Sequence, residues 1–142
     1  MRSVIVHLRD TTEQEVAGFL QRTYPFQQGP PWIAHVAGDA CLYIDFYRDG
    51  PSEHEPKEWA GILASFGGEP SVSVGADVSG RHPGDEQVRD FVGALLGRFG
   101  GAAQDDYTNH LWSLEEIVTG HHVQGHAFFD YLGWYADENL DA

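Results

Sequence analysis

The stretch WIAHVAGDACLYIDFY (residues 32–47) decides the fold, because it predicts two strands joined by a tight turn. Residues 32–36 and 40–47 are rich in branched and aromatic side chains, and Ala37-Gly38-Asp39 supplies the turn between them. The second strand alternates, with Leu42, Ile44 and Phe46 on one face and Cys41, Tyr43, Asp45 and Tyr47 on the other. The hairpin therefore belongs to a sheet that buries one face.

A strand and a helix are predicted on each side of this hairpin. On the N-terminal side, residues 4–8 alternate as a strand, and Thr12 begins a helix with Glu15 at capping-box spacing. On the C-terminal side, a helix begins at Pro56, and residues 72–78 form another strand. The order strand-helix-strand-strand-helix-strand is that of the ferredoxin-like split βαβ fold. We therefore predict an α+β protein with a βαββαβ core, in which the first strand neighbours the second strand of the hairpin.

The last part of the chain adds further elements to this core. Residues 85–99 predict a helix with one apolar face. A short strand follows in residues 102–107, and residues 113–116 have capping-box spacing for one or two helical turns. The aromatic stretch 127–135 predicts a strand or hairpin arm, followed by an acidic tail. We expect a single domain over residues 1–142, with an added helix and C-terminal strands outside the core.

The charge of the chain restricts its partners. It has 22 acidic residues against 8 basic ones, which gives a formal net charge of −14. Such a surface repels nucleic acid and anionic membranes and attracts cationic proteins. The hydrophobic fraction of 42% and the aromatic fraction of 13% indicate a folded protein rather than a disordered acidic chain. We expect a basic protein partner, no nucleic acid or membrane ligand, and a monomer or homodimer.

Lys57 is the only lysine, so a GC-rich genome or adaptation to high salt is the alternative source of the charge.

Cysteine usage and missing motifs narrow the function further. Cys41 is the only cysteine, so no intramolecular disulfide forms, and the reducing cytoplasm is the expected compartment. No stretch approaches the roughly 20 apolar residues of a membrane-spanning helix. The sequence contains neither a phosphate-binding glycine loop nor a nucleophile elbow. We expect no cofactor.

The open face of the predicted sheet is the first candidate binding surface. The hairpin predicts Trp32, Ala34, Tyr43, Asp45 and Tyr47 on this face, and the first strand adds Ile5 and His7. Because Trp and Tyr dominate binding hot spots, this set describes a docking surface. The alternative is that the C-terminal aromatic residues pack on this face and bury it as a second core.

The second candidate surface lies in the last third of the chain, where acidic and aromatic residues alternate and no lysine or arginine follows Arg98. The residues predicted to bind a partner are Asp105, Asp106, Tyr107, Trp112, Glu115 and Glu116. Carboxylates attract the arginines and lysines of a partner, and aromatic rings supply contact area. A merely solvated acidic face and paired catalytic carboxylates are the two alternatives.

A histidine group offers a function of a different class. His122, His126 and Asp130 follow one another at intervals of four residues, which would align them along one face of a helix. Two imidazoles and a carboxylate suit Zn²⁺ or Fe²⁺, so a small metal-dependent or acid–base enzyme is the alternative function. Gly120 and Gly125 bracket the stretch and favour a turn over a helix.

One part of the sequence resembles a known class of proteins. It consists of Arg98-Phe99-Gly100-Gly101-Ala102-Ala103-Gln104-Asp105-Asp106, followed by Leu111-Trp112-Ser113-Leu114-Glu115-Glu116-Ile117. This stretch resembles segments of small, acidic, single-domain bacterial immunity proteins of polymorphic toxin systems. The resemblance covers roughly residues 84–135. It implies a cytosolic protein that neutralises a cognate toxin or effector domain by covering its active site.

Overall fold

A computed structural model describes residues 2–140 of the protein and confirms the α+β class, with six helices and a five-stranded antiparallel sheet. The strands are β1 (Arg2–Leu8), β2 (Trp32–Val36), β3 (Asp39–Phe46), β4 (Val72–Val78) and β5 (Gly101–Asp105). The helices are α1 (Glu13–Thr23), α2 (Gly50–Glu53), α3 (Pro56–Phe66), α4 (Asp85–Phe99), α5 (Leu114–Thr119) and α6 (Tyr131–Leu140). Within these residues no helix has the length and apolar character that crossing a membrane requires. The end of the predicted acidic tail, residues 141–142, lies outside the described residues.

The strands lie in the order β2-β3-β4-β1-β5, and every neighbouring pair is antiparallel. The prediction that β1 neighbours β3 is wrong, because β4 lies between them and pairs with both. The exact ferredoxin-like topology is therefore not confirmed. The central position suits β4, since Val72, Val74, Ala76 and Val78 are all buried.

Helices α1 and α4 cover one face of the sheet and form the main core with it. Val16 and Leu20 of α1 belong to the same buried cluster as Phe91 and Leu95 of α4. The sheet contributes its alternate side chains to this cluster, Val4, Val6, Leu8, Leu42, Ile44, Val74 and Ala76. Helix α1 begins as the sequence predicts, and the Thr12 hydroxyl accepts the N–H of Glu15 at 3.2 Å. The N-cap of α4 is Gly84 rather than Asp85, which is the first residue of the helix.

A β-bulge in the hairpin decides which side chains of β2 enter this core. Near the turn, Val36 pairs with Asp39 and His35 with Ala40, but the register shifts between Ala34 and His35. Beyond the shift, Trp32 pairs with Ile44 and Ala34 with Leu42. Cys41 of β3 is the extra residue, because Ala40 and Leu42 pair with consecutive residues of β2. This extra residue places Trp32 and Ala34 on the core face, so the prediction that they lie on the open face is wrong. The indole of Trp32 is buried against α1, where its Nε1 donates to Gln21 Oε1 at 2.9 Å.

The opposite face of the sheet is partly covered by α3. The rings of Trp59 and Phe66 meet the buried His7 ring edge-on, with centroid distances of 6.4 and 6.1 Å. Gly50 of α2 makes this packing possible, because a Cβ there would lie 2.4 Å from the Trp59 ring. The rest of this face stays open and includes Ile5 and Tyr43.

The C-terminal segment folds differently from its prediction. Residues 127–135 form no strand, and α6 begins at Tyr131 instead. The segment before α6 inserts Phe128 and Phe129 into the main core. Trp112 forms a bridge with Ala103 along the outer edge of β5. The C-terminal segment therefore closes the β5 side of the main core.

Candidate functional site

An acidic groove lies on the open face of the sheet, between the α2–α3 segment and the loop that follows β5. Its volume is about 480 Å³. The residues that line it are Ile5, Tyr47, Glu53, His54, Glu58, Gln104, Asp105, Asp106, Tyr107, Thr108, Asn109 and Gln124. Four of these side chains are carboxylic acids, and none of the lining residues within the described chain is a lysine or arginine. We call this site the acidic groove.

The floor of the acidic groove is uncharged. Ile5 and Gln104 lie side by side across the β1–β5 pair, and His7 lies buried beside them. The Nδ1 of His7 is 2.8 Å from Ser73 Oγ, and its Nε2 is 3.5 Å from Gln104 Oε1. Burial lowers the pKa of His7, which favours the neutral ring at pH 7. No positive charge beneath the groove therefore offsets its carboxylates.

One wall of the acidic groove comes from α2 and α3. The Tyr47 hydroxyl donates to Glu53 Oε2 at 2.5 Å, and burial together with this bond raises the pKa of Tyr47. The His54 ring stacks on Trp59 with a centroid distance of 5.8 Å and an interplanar angle of 8°. The His54 Nδ1 lies 3.7 Å from the Glu58 carboxylate. The carboxylates of Glu53 and Glu58 thus stand on a wall stiffened by aromatic packing.

The other wall begins where β5 ends. Asp105 is only 5% exposed, and its carboxylate accepts the backbone N–H groups of Tyr107, Thr108 and Phe129 at 3.2, 3.3 and 2.9 Å. Burial raises the pKa of Asp105, although these three donors oppose the shift. Asp106 is exposed and accepts the Ser3 N–H at 2.6 Å. Asp105 therefore fixes the loop, and Asp106 supplies the accessible charge.

Tyr107 connects this wall to the C-terminal helix. Its ring stacks on Trp134 of α6, with a centroid distance of 5.9 Å and an interplanar angle of 11°. Burial raises the pKa of Tyr107 to about 12, so the phenol stays protonated at pH 7. The predicted residues Asp105, Asp106 and Tyr107 are thus brought together at the acidic groove.

The other predicted partner-binding residues lie outside the groove. Trp112 is 1% exposed and belongs to the core rather than to an accessible surface. Glu115 is exposed on α5. Glu116 completes the predicted capping box with Ser113 and lies 3.1 Å from His110 Nε2 and 3.4 Å from His121 Nε2. Although burial raises the pKa of Glu116, the Ser113 N–H and the His110 ring outweigh it and lower that pKa.

The predicted metal-binding residues are only partly brought together. His126 Nδ1 lies 3.1 Å from Asp130, but its Nε2 lies 2.5 Å from Asp137, so both ring nitrogens face carboxylates. His122 is exposed on the preceding turn. Among the described residues no group of three or more histidine, cysteine or acidic side chains is arranged to hold a metal ion. The segment between His122 and His126 is a tight turn rather than a helix. Val123 pairs with His126, and Gln124 and Gly125 between them have positive φ.

Sequence reasoning missed the α2–α3 wall of the groove. The stretch from Asp49 to Glu58 carries four acidic residues, and this density was the available signal. These acidic residues form a wall of the groove only because α3 lies over the open face, and no local sequence pattern specifies that position.

Comparison with protein-family models finds no match to this chain, and comparisons with curated proteins and with solved structures find none either.

Proposed function

We propose that the protein is an acidic binding protein, which recognises a basic protein partner through the acidic groove. The observation that carries this proposal is the set of exposed carboxylates of Glu53, Glu58 and Asp106 around the groove. Among the described residues, no lysine or arginine lines this groove. Asp45 and Asp77 extend the same charge along the open face, since both alternate with buried residues of the core. Such a surface attracts cationic groups over the Debye length, about 10 Å at 0.1 M salt.

The groove also offers contact area for a partner. Tyr47 and Tyr107 stand on its two walls, and each ring is held by a neighbour, Glu53 or Trp134. Rigid tyrosines lose little conformational entropy on binding, and arginine side chains stack well on their faces. Carboxylates beside tyrosines thus suit a surface rich in arginine and lysine.

The kind of partner follows from the resemblance to immunity proteins. A toxin or effector domain that acts on a phosphate-containing substrate has a basic active site, which an acidic protein blocks by occupying it. The expected compartment is the cytoplasm, where such a partner would act. The exposed Glu115 of α5 lies outside the groove and remains a predicted second contact with the partner.

Co-expression with the product of the adjacent gene, followed by pull-down, tests the proposal. We expect a complex at about 0.05 M NaCl that weakens at least tenfold at about 0.5 M, because salt screens exposed charges. The triple variant Glu53→Gln/Glu58→Gln/Asp106→Asn should weaken binding by about tenfold or more at low salt. The amide of each replacement keeps the side-chain shape and an acceptor oxygen.

A matched control separates the groove from overall charge. The variant Glu15→Gln/Glu69→Gln/Glu86→Gln removes three exposed charges that lie outside the groove, so it should change affinity less than threefold. Equal weakening by both triple variants would show that binding does not use the groove. A complex indifferent to salt, or no complex with any basic neighbour, would refute the electrostatic proposal.

A further inference from the structure

The two edges of the sheet are treated differently by the fold. Along β5, the N–H of Ala103 donates to Trp112 O at 2.9 Å, and the N–H of Trp112 donates to Ala103 O at 2.7 Å. At the other end of the sheet, β2 is the terminal strand, and no strand within the described residues lies beside its outer edge. The backbone groups on an open edge bind a further strand readily.

A second groove runs along this open edge. Three consecutive residues of β2, Ile33, Ala34 and His35, line it, although their side chains point to alternate faces. The groove therefore flanks the edge of the strand rather than one face of the sheet. Its volume is about 350 Å³, and its far side is formed by Tyr24, Phe26 and Asp90.

The chemistry of this second groove is partly apolar and partly acidic. Phe26 is 69% exposed, and the centroid of its ring lies 4.3 Å from the centroid of the His35 ring. Asp90 is an exposed carboxylate on α4. Burial and the charge of Asp90 raise the pKa of Tyr24 to about 12, so the phenol stays neutral beside that carboxylate. An apolar side chain next to a cationic one therefore matches the groove.

A second copy of this chain is a poor occupant of the edge. Each copy has a formal net charge of −14, and pairing two β2 edges would bring two such surfaces together. An extended segment of a basic protein could form backbone hydrogen bonds with the edge of β2 and place a cationic side chain beside Asp90. In an added strand, alternate side chains would point toward the groove.

We propose that the outer edge of β2 binds an extended segment of the basic partner by strand addition, with a lysine or arginine facing Asp90 and an apolar residue against Phe26. Backbone hydrogen bonds supply affinity in this mode, and the groove selects the alternate side chains. This inference rests on the proposed function only for the sign of the partner's charge. The edge and the acidic groove are separate contacts.

A short capped peptide that carries lysine and valine two residues apart, with threonine between them, puts both side chains on the same side of a strand. Its titration into the full chain, followed by amide NMR, tests this proposal. We expect the largest shifts in Trp32–Val36 and slower hydrogen exchange there. The matched peptide with alternate N-methylated residues keeps the charge and side chains but lacks backbone donors, so it should bind at least about tenfold more weakly. Equal binding of the two peptides, or shifts centred on Glu53 and Asp106, would overturn the proposal.

Two variants on α4 test the groove beside the edge. Asp90→Asn should weaken the unmethylated peptide by about threefold, whereas Glu86→Gln, an exposed charge on the same helix, should not. The acidic-groove variant Glu53→Gln/Glu58→Gln/Asp106→Asn should leave peptide binding unchanged, so failure here and failure of the proposed function are distinguishable. A wild-type dimer that Phe26→Ser dissociates would show that a second copy occupies the edge and would overturn the proposal.

Discussion

Asp105 shows how one side chain organises a site that it does not itself expose. Three backbone N–H groups from two separate segments converge on its carboxylate, one of them at Phe129, at the end of the segment that precedes α6. Hydrogen bonds to a charged acceptor are stronger than those between neutral groups. The residue therefore positions Asp106 and Tyr107 and anchors the C-terminal segment at the same time.

The variant Asp105→Asn should destabilise the protein by about 2 kcal/mol. The side-chain NH₂ of asparagine would face a backbone N–H that donates to the carboxylate in the wild type, so that donor would lose its acceptor. Urea unfolding measures this change. The neighbouring Asp106→Asn is the control, because it keeps an oxygen for the Ser3 N–H and should cost less than about 0.5 kcal/mol. Similar losses in the two variants would contradict the structural role of Asp105.

At the scale of the elements, local patterns located most helices and strands but not their arrangement. The helix starts at Thr12 and Pro56 and the capping box at Ser113 follow from short-range chemistry, and all are confirmed. The bulge beside Ala34 has no such signal, and a single extra residue sent Trp32 to the core. Strand order was equally hidden, because β3 and β4 share one alternating pattern. The sequence therefore identified only part of the acidic groove, namely Ile5 and Tyr47 on the open face and Asp105, Asp106 and Tyr107 after β5.

Helix α6 is held to the rest of the molecule by His126. The ring lies between the carboxylates of Asp130 and Asp137. It packs against Trp134 at a centroid distance of 4.1 Å and an interplanar angle of 33°. Asp130 and Asp137 raise the pKa of His126, although burial opposes them. The ring thus links a turn, the segment before α6 and α6 itself.

The contribution of this His126 contact to stability should decrease as pH rises. Because the folded protein raises the pKa of His126 above its ordinary value, the contact is fully stabilising below about pH 6.5 and is lost as pH rises through the raised pKa. We expect the difference in unfolding free energy between wild type and His126→Gln to shrink from about pH 6 to about pH 9. Urea unfolding across that range measures it. A difference that is constant or grows with pH would refute this role.

At the scale of the whole molecule, many of the few cations are engaged within the fold. Arg48 pairs with Glu13, Arg81 with Asp39, and Arg89 with Asp85. Arg9 lies over the Phe66 ring and Arg2 over the Tyr131 ring. Most carboxylates therefore have no cationic side chain to neutralise them, and repulsion among them opposes folding.

Added salt should consequently stabilise the free protein while it weakens the complex. We expect the unfolding midpoint to rise by a few degrees between about 0.05 M and about 0.5 M NaCl, because screening reduces repulsion among carboxylates. Differential scanning calorimetry measures it, and glycerol at equal osmolality is the control for nonspecific effects. A midpoint that falls with NaCl would show that attractive ion pairs dominate the surface.

The bridge between Ala103 and Trp112 has a consequence for assembly in crowded solution. Sheets grow into fibres only when each added unit presents a fresh edge for the next one. Here Trp112 of the same chain pairs with Ala103 on the outer edge of β5, whereas no strand within the described residues lies beside β2. The bridge therefore disfavours the repeated edge-to-edge addition that a sheet with two open edges would allow.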